Sequence, residues 1–248
     1  MKTPATLFFF FFLTTAFAQS NHFLSDQKKF VRVKTAYHSK EPLLKKTLKS
    51  FNLGFENFTI LITAFKFEKE MDIYVKNKNE TVYKKLATYK ICALSGELGP
   101  KRKQGDNQVP EGFYCIDRFN PSSSYYLSLR LNYPNQSDKI KSKATDLGGD
   151  IFIHGKCVTI GCMPMTNDKI EEIYLYALQA RANGQMQIPV YVFPFRMTTE
   201  NVLKFNSIYK TNSELLNFWK NLMIGYDRFM KDLRELKISV DKKGDYIF

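Results

Sequence analysis

Between Phe58 and Leu131 the chain breaks into short runs of β-branched and aromatic residues, a texture that constrains the fold more than any other feature. Thr59–Phe67, Met71–Val75, Thr81–Ala93, Gly112–Asp117 and Tyr125–Leu131 each read as a strand, and Asn77-Lys78-Asn79-Glu80 as a hairpin turn. Gly96–Val109, rich in Gly, Pro, Lys and Asn, reads as a long exposed loop of the kind that carries function on a rigid sheet. Ile151–Ile153 is a short buried strand ending at His154. Helical spacing appears in Leu43, Leu44, Leu48 and Phe51 behind Pro42, whereas residues 20–40 are polar and basic without clear period. It returns in Ile170, Ile173, Tyr174, Ala177 and Leu178 behind Thr166-Asn167-Asp168, with Gly184 as the stop. Ile188–Phe195 is a strand broken by Pro194. Leu215, Leu216, Trp219, Leu222 and Met223 form a stripe ending at Gly225, in which Trp219 serves core packing. A further helix and a hairpin around Asp241-Lys242-Lys243-Gly244 finish the chain. With no linker, repeat or long charge block, one domain is expected.

The first residues bear on compartment. Lys2, the apolar run Leu7–Leu13 and Ala16-Phe17-Ala18 have the pattern of a signal peptide over residues 1–18, with the mature chain starting at Gln19. The run falls far short of the roughly 20 residues of a membrane span, so the expectation is an exported protein of the periplasm or cell envelope without a transmembrane segment. A formal charge of +13 favours an anionic partner, cell-wall polymer or membrane surface, while export argues against nucleic acid. Scattered lysines that only confer solubility explain the charge equally well. Four cysteines, Cys92, Cys115, Cys157 and Cys162, would meet an oxidising compartment, where both disulfides and thiol chemistry are open to them. Cys92 and Cys115 fall in separate predicted strands, as a cross-strand pair or as two ordinary thiols.

Chemistry concentrates in Ile151-Phe152-Ile153-His154-Gly155-Lys156-Cys157-Val158-Thr159-Ile160-Gly161-Cys162. An imidazole stands at a strand end and a thiol ahead of a helix, and a thiol becomes nucleophilic when an imidazole or a helix N-terminus stabilises its thiolate. Such a thiol should alkylate well below pH 8. The backbone around Gly161 can aim N–H groups at one point, as an oxyanion hole requires. His22 and His38 lie in the weakly patterned N-terminal stretch, which leaves His154 as the base. Three other readings stay open on spacing alone: a buried His beside a structural thiol, a Cys157–Cys162 disulfide, and a zinc site of His154, Cys157 and Cys162 completed by Cys92 or Cys115. A papain-like protease would need a different chain order.

Several ordered segments carry a resemblance: Ser95-Gly96 with its basic loop, Val109-Pro110-Glu111-Gly112-Phe113-Tyr114, Ile153-His154-Gly155 and Thr159-Ile160-Gly161-Cys162. In them the chain resembles the L,D-transpeptidase catalytic-domain (YkuD-type) family, more closely its YafK-like branch, to which Tyr191–Met197 and the Trp219 and Tyr226 region extend the likeness. The resemblance implies an α+β fold, a β-rich sandwich core with peripheral helices, and a cysteine acyl-enzyme without metal or organic cofactor. Its expected parts are a leader over 1–18, a basic segment and helix over 19–57, a catalytic domain over 58–197, and a helical extension and hairpin over 198–248 packed on the same domain. Cys162 would be nucleophile, His154 proton donor and acceptor, and Gly161 an oxyanion backbone donor; the substrate would be a peptidoglycan stem peptide. The thioester passes to an amine or to water, and YafK-like members are associated with release of proteins attached to peptidoglycan, which makes such a protein a second expected partner. Where many members have an apolar residue and then Arg after the nucleophile, this chain has Met163-Pro164-Met165. Arg196, from the next strand, and Thr159 are therefore the substrate-binding candidates. His154 and Cys162 also stand closer in sequence than in most members. Cys157 is expected to have no catalytic role. The competing class is a non-catalytic wall-binding module in which Lys101, Arg102 and Lys103 hold an anionic polymer.

Overall fold

Strand β1, Phe58–Phe65, is buried along its length except at Thr59, and its two faces feed two cores. Phe58, Ile60, Ile62 and Ala64 point into one apolar cluster, Leu61 and Phe65 into another. Successive side chains leave a strand on opposite faces, so a run apolar at nearly every position is stable only with cover on both sides. The computed structural model describes residues 22–248, and the expected leader over 1–18 lies outside them.

β1 pairs antiparallel with β2 (Glu70–Asn77), which pairs with β3 (Lys84–Lys90), and parallel with β8 (Ile188–Phe193). Beyond β8 come β4 (Gly112–Ser123), β5 (Tyr126–Leu131), β6 (Phe152–His154) and β7 (Met163–Pro164). The order β3-β2-β1-β8-β4-β5-β6-β7 forms one mixed sheet curled into a half-barrel. The expected α+β class holds, the β-rich core being this single sheet with helices closing its faces. Past the end of β3, Ile91 N donates to Lys69 O (2.8 Å) and Cys92 N to Pro164 O (2.9 Å), so this segment spans from the β1–β2 turn to edge strand β7.

One face is covered by α1 (Val31–Ser50) and α3 (Asn167–Ala182), α2 (Gln136–Lys141) being a short helix between β5 and β6. α1 contributes Val33, Ala36, Tyr37, Leu44 and Leu48, and so begins well before the expected turn at Pro42. Basic residues interleaved with that stripe hid its first half. The other face is covered by α5 (Ser213–Asp232) through Leu215, Phe218, Trp219, Leu222, Tyr226 and Phe229, following α4 (Thr199–Ile208). Gly225 does not end α5: a Cβ there would lie 2.4 Å from the Phe248 ring and 2.6 Å from the Phe113 ring, so glycine serves close packing inside the helix. The terminal hairpin is β9 (Ser239–Val240) with β10 (Tyr246–Ile247). α4 falls within the helical extension expected over 198–248, whereas α2 was not expected; α2 starts at a reciprocal cap between Asn135 and Asp138.

The 96–109 loop is exposed at Gly96, Glu97, Lys103–Gly105 and Asn107, as expected, but it is pinned at its base. Buried Lys66 donates to Gly99 O (2.7 Å) and Val109 O (3.0 Å) and pairs with buried Glu111 (3.0 Å). Asp106 accepts from Lys101 Nζ and from the amides of Arg102, Lys103 and Gln108. Among the described residues, no helix is long and apolar enough to cross a membrane.

Candidate active site

β6 is three residues long, yet three neighbours fix it. It pairs antiparallel with β5 (His154 opposite Ser128) and parallel with β7 (His154 opposite Pro164), and Met165 N donates to His154 O at 2.7 Å. Phe152 and His154 leave the strand on one face. The connection from β6 returns through residues 155–162 to start β7 beside them, so His154 and Cys162 line the same cavity of about 470 Å³. Tyr125, Asp150, Phe152, Val158 and Ile160 also border it. Gly155 must be glycine because a Cβ there would lie 2.7 Å from Asn167 Oδ1 and 2.9 Å from Tyr125 O. Gly161 has φ +137°, a conformation open to glycine.

His154 Nδ1 lies 2.6 Å from Gly155 O. A carbonyl only accepts, so Nδ1 carries the proton and Nε2 keeps a lone pair. The ring is buried and packs on Tyr125, centroids 4.6 Å apart. Burial lowers the imidazole pKa, opposed by the Gly155 carbonyl. Cys162 Sγ accepts from Phe152 N (3.4 Å) and lies 3.7 Å from Asp150 O. Burial raises the thiol pKa; the Phe152 amide opposes that and the Asp150 charge adds to it. The resting pair is therefore neutral thiol and neutral imidazole. The expected helix N-terminus is not at the thiol: β7 follows Cys162, and α3 begins after its cap Thr166.

Thr159 is brought to the site, but as a clasp of the turn. Its Oγ1 accepts from Cys162 N (2.7 Å) and Gly161 N (3.1 Å) and donates to Cys162 O (2.8 Å). The two amides expected to hold an oxyanion are thus engaged by a side chain of the same turn. Arg196 is not brought to the cavity. Its guanidinium pairs with Glu70 (2.7 Å) and Asp72 (3.0 Å) and lies over the Phe65 ring, and its backbone N–H takes Glu68. The substrate-binding expectation for Arg196 is corrected accordingly, because two carboxylates on β2 already saturate the fork.

Cys157 is joined to Cys92, Cα atoms 5.4 Å apart, while Cys115 and Cys162 are free thiols. This overturns a Cys157–Cys162 bridge, a Cys92–Cys115 pair and the zinc site alike, since the disulfide consumes Cys157 and with it one of the three core ligands. Of the basic loop, Lys101 pairs with Asp106 (2.7 Å) and Arg102 with Asp138 (2.9 Å), while exposed Lys103 is in no ion pair among the described residues. Sequence reasoning missed Tyr125 and Asn167. Tyr125 sits at a strand start that gave no sign of facing His154, and Asn167 acts through Oδ1 on the Lys156 amide (3.0 Å), a contact only folding creates.

Residues 62–192, more than half of the chain, match the family model described as YkuD, L,D-transpeptidase catalytic domain. The chain belongs to the L,D-transpeptidase catalytic-domain family. Over 190 residues it is 39% identical to the Escherichia coli (strain K12) protein named "Putative L,D-transpeptidase YafK", covering 76% of this chain and 73% of the relative. Among solved structures, the helical cell shape determining protein Pgp2 of Campylobacter jejuni aligns with a TM-score of 0.45 at 21% identity, over 74% of each chain. Bd1075 of Bdellovibrio bacteriovorus aligns at 0.41 and 22% identity, over 69% of this chain and 63% of that one. Within this L,D-transpeptidase domain, the family match begins inside β1 and ends inside β8, so it contains His154, Cys162 and both disulfide cysteines. α5, which covers the second face, lies beyond it.

Proposed function

We propose that this protein is a peptidoglycan-modifying cysteine acyl-transfer enzyme that acts on stem peptides after export to the periplasm or cell envelope. The observation that carries this reading is the shared cavity of His154 and Cys162, with Nδ1 committed to Gly155 O and Nε2 free to take a proton. Nε2 removes the Cys162 proton as Sγ attacks the carbonyl at the L-centre of the third stem residue. The carbonyl π pair moves onto oxygen, and the amides of Gly161 and Cys162 receive that oxyanion as Thr159 Oγ1 yields them. Collapse expels the amine, which takes the proton back from His154, and leaves a thioester on Sγ. An incoming amine or water, deprotonated by His154, then breaks the C–S bond, and His154 returns that proton to the departing Cys162 thiolate. An amine of another stem gives a cross-link, a protein lysine gives attachment, and water gives hydrolysis, including release of a protein attached to peptidoglycan.

The test is mass spectrometry of muropeptides from purified sacculi, with and without attached protein, after incubation with the mature protein or Cys162→Ser. New cross-links or exchanged stems from the unaltered protein alone establish transfer. Shortened stems or released protein remnants establish hydrolysis. Identical products from both proteins would refute the enzyme reading and favour a wall-binding module.

A further inference from the structure

Residues 157–164 form an arch whose two feet both meet Cys92, the second standing also in β7 beside β6. At one foot Cys157 is bonded to Cys92 through sulfur; at the other, Pro164 O accepts the Cys92 amide at 2.9 Å. Cys92 is itself fixed to the body through its neighbour Ile91, whose amide donates to Lys69 O. Cys162 sits two residues before the second foot. Between the feet, Val158 and Ile160 are exposed, and the internal ties are Val158 N to Lys156 O and the contacts of Thr159 with Gly161 and Cys162. Upstream, Lys156 is held by Asn167 Oδ1 and, through Nζ, by Ser124 O.

We propose that the Cys92–Cys157 disulfide is a positioning clamp for the nucleophile, so that turnover at Cys162 depends on this bond being oxidised. The proposal rests on the acyl-transfer reading. Residues 92 and 157 touch no reacting atom; they act through the arch, and misplacement of a reacting group by about 1 Å can cost on the order of a hundredfold in rate. Reduction breaks the one S–S bond, with two electrons and two protons from a phosphine reductant and water, to give two thiols and the phosphine oxide. The chain would then be idle in a reducing compartment and competent after oxidation outside it.

The experiment uses the folded mature protein, oxidised, reduced and reoxidised, with reductant removed before assay, beside Cys92→Ser/Cys157→Ser. Amide hydrogen exchange and turnover on sacculi are both read. The expected result is exchange at least tenfold faster over residues 158–162 with β1 and β8 unchanged, kcat down ten- to a hundredfold with KM within twofold, and recovery on reoxidation. Unchanged exchange in the arch, or unchanged kcat after confirmed reduction, overturns the proposal. Faster exchange throughout the sheet also overturns it, because the bond is then a general staple. If the oxidised protein shows no turnover, the acyl-transfer reading fails; the exchange pattern then still decides whether the bond clamps the arch.

Discussion

The buried ring of His154 and the half-buried thiol of Cys162 shift in opposite directions, and both shifts favour the neutral form. A lowered imidazole pKa keeps the base unprotonated as pH falls below its ordinary value of about 6.5. The pH profile of kcat/KM should therefore have its acid limb below that value, and His154→Gln should abolish the limb and cost on the order of 10²–10⁴ in rate. A raised thiol pKa means that iodoacetamide should react with Cys162 chiefly at alkaline pH, above about 8.5. This replaces the expectation of reaction well below pH 8, which leaned on a helix N-terminus that the fold places at Thr166. Rapid alkylation at pH 6 would contradict it. Arg196 gives a second prediction. Lys90 and Arg196 hold Glu70 below its ordinary pKa; burial opposes ionisation of Asp72, but Arg196, Thr88 and Lys85 outweigh it. Depressed carboxylate pKa values contribute stability that is complete above about pH 4 and lost as pH falls through them. Arg196→Met should lower stability by about 3 kcal/mol by leaving Asp72 poorly compensated. It should also flatten the acid limb of the stability curve and leave KM unchanged, measured by denaturation at pH 3 to 7 and by kinetics.

At the scale of the element, β6 and β7 are too short to be stable alone, and the 155–162 connection is held by side chains from elsewhere. The parallel pairing of Ile153 with Met163 places Cys162 level with Phe152 and within reach of its amide. Gly155 allows the chain to leave β6 beneath Asn167 and Tyr125 O. Gly155→Ala should force that turn outward at a cost of about 1–3 kcal/mol and lower kcat more than it raises KM, because it displaces the base and not the cavity walls. Wild-type kcat in a folded Gly155→Ala protein would show that the turn has slack.

At the scale of the molecule, the curled sheet has two cores, and the second depends on α5. Six large side chains of α5 are buried there, and at roughly 1.5–3 kcal/mol each they contribute on the order of the whole net stability of a domain, about 5–15 kcal/mol. A chain ending at Met197 should therefore lose near-ultraviolet circular dichroism and bind a hydrophobic dye, although it retains every residue of the cavity. A cooperative, native-like melt of that truncation would refute the two-core account. Trp219 belongs to the same argument: its indole N–H donates to buried Glu111 at 2.8 Å while its ring packs on Phe195 and Tyr209.

The α+β class came from the family resemblance, and β7 lies in a segment that reads as loop; local patterning was enough for strands β1 to β6 and β8, for α3, and for His154 and Cys162 as the residues to examine. Each follows from a period or spacing that neighbouring residues impose on one another. Tertiary structure decided the rest: the partner of Cys157, the commitment of Arg196 to Glu70 and Asp72, the engagement of the Gly161 and Cys162 amides by Thr159, and the role of Gly225. These depend on which distant segments meet when the sheet curls. Cys92 lies 65 residues from Cys157, and Glu70 lies 126 from Arg196. No local period encodes such meetings; the physical reason is that burial and pairing act on the folded neighbourhood, which only the closed sheet creates.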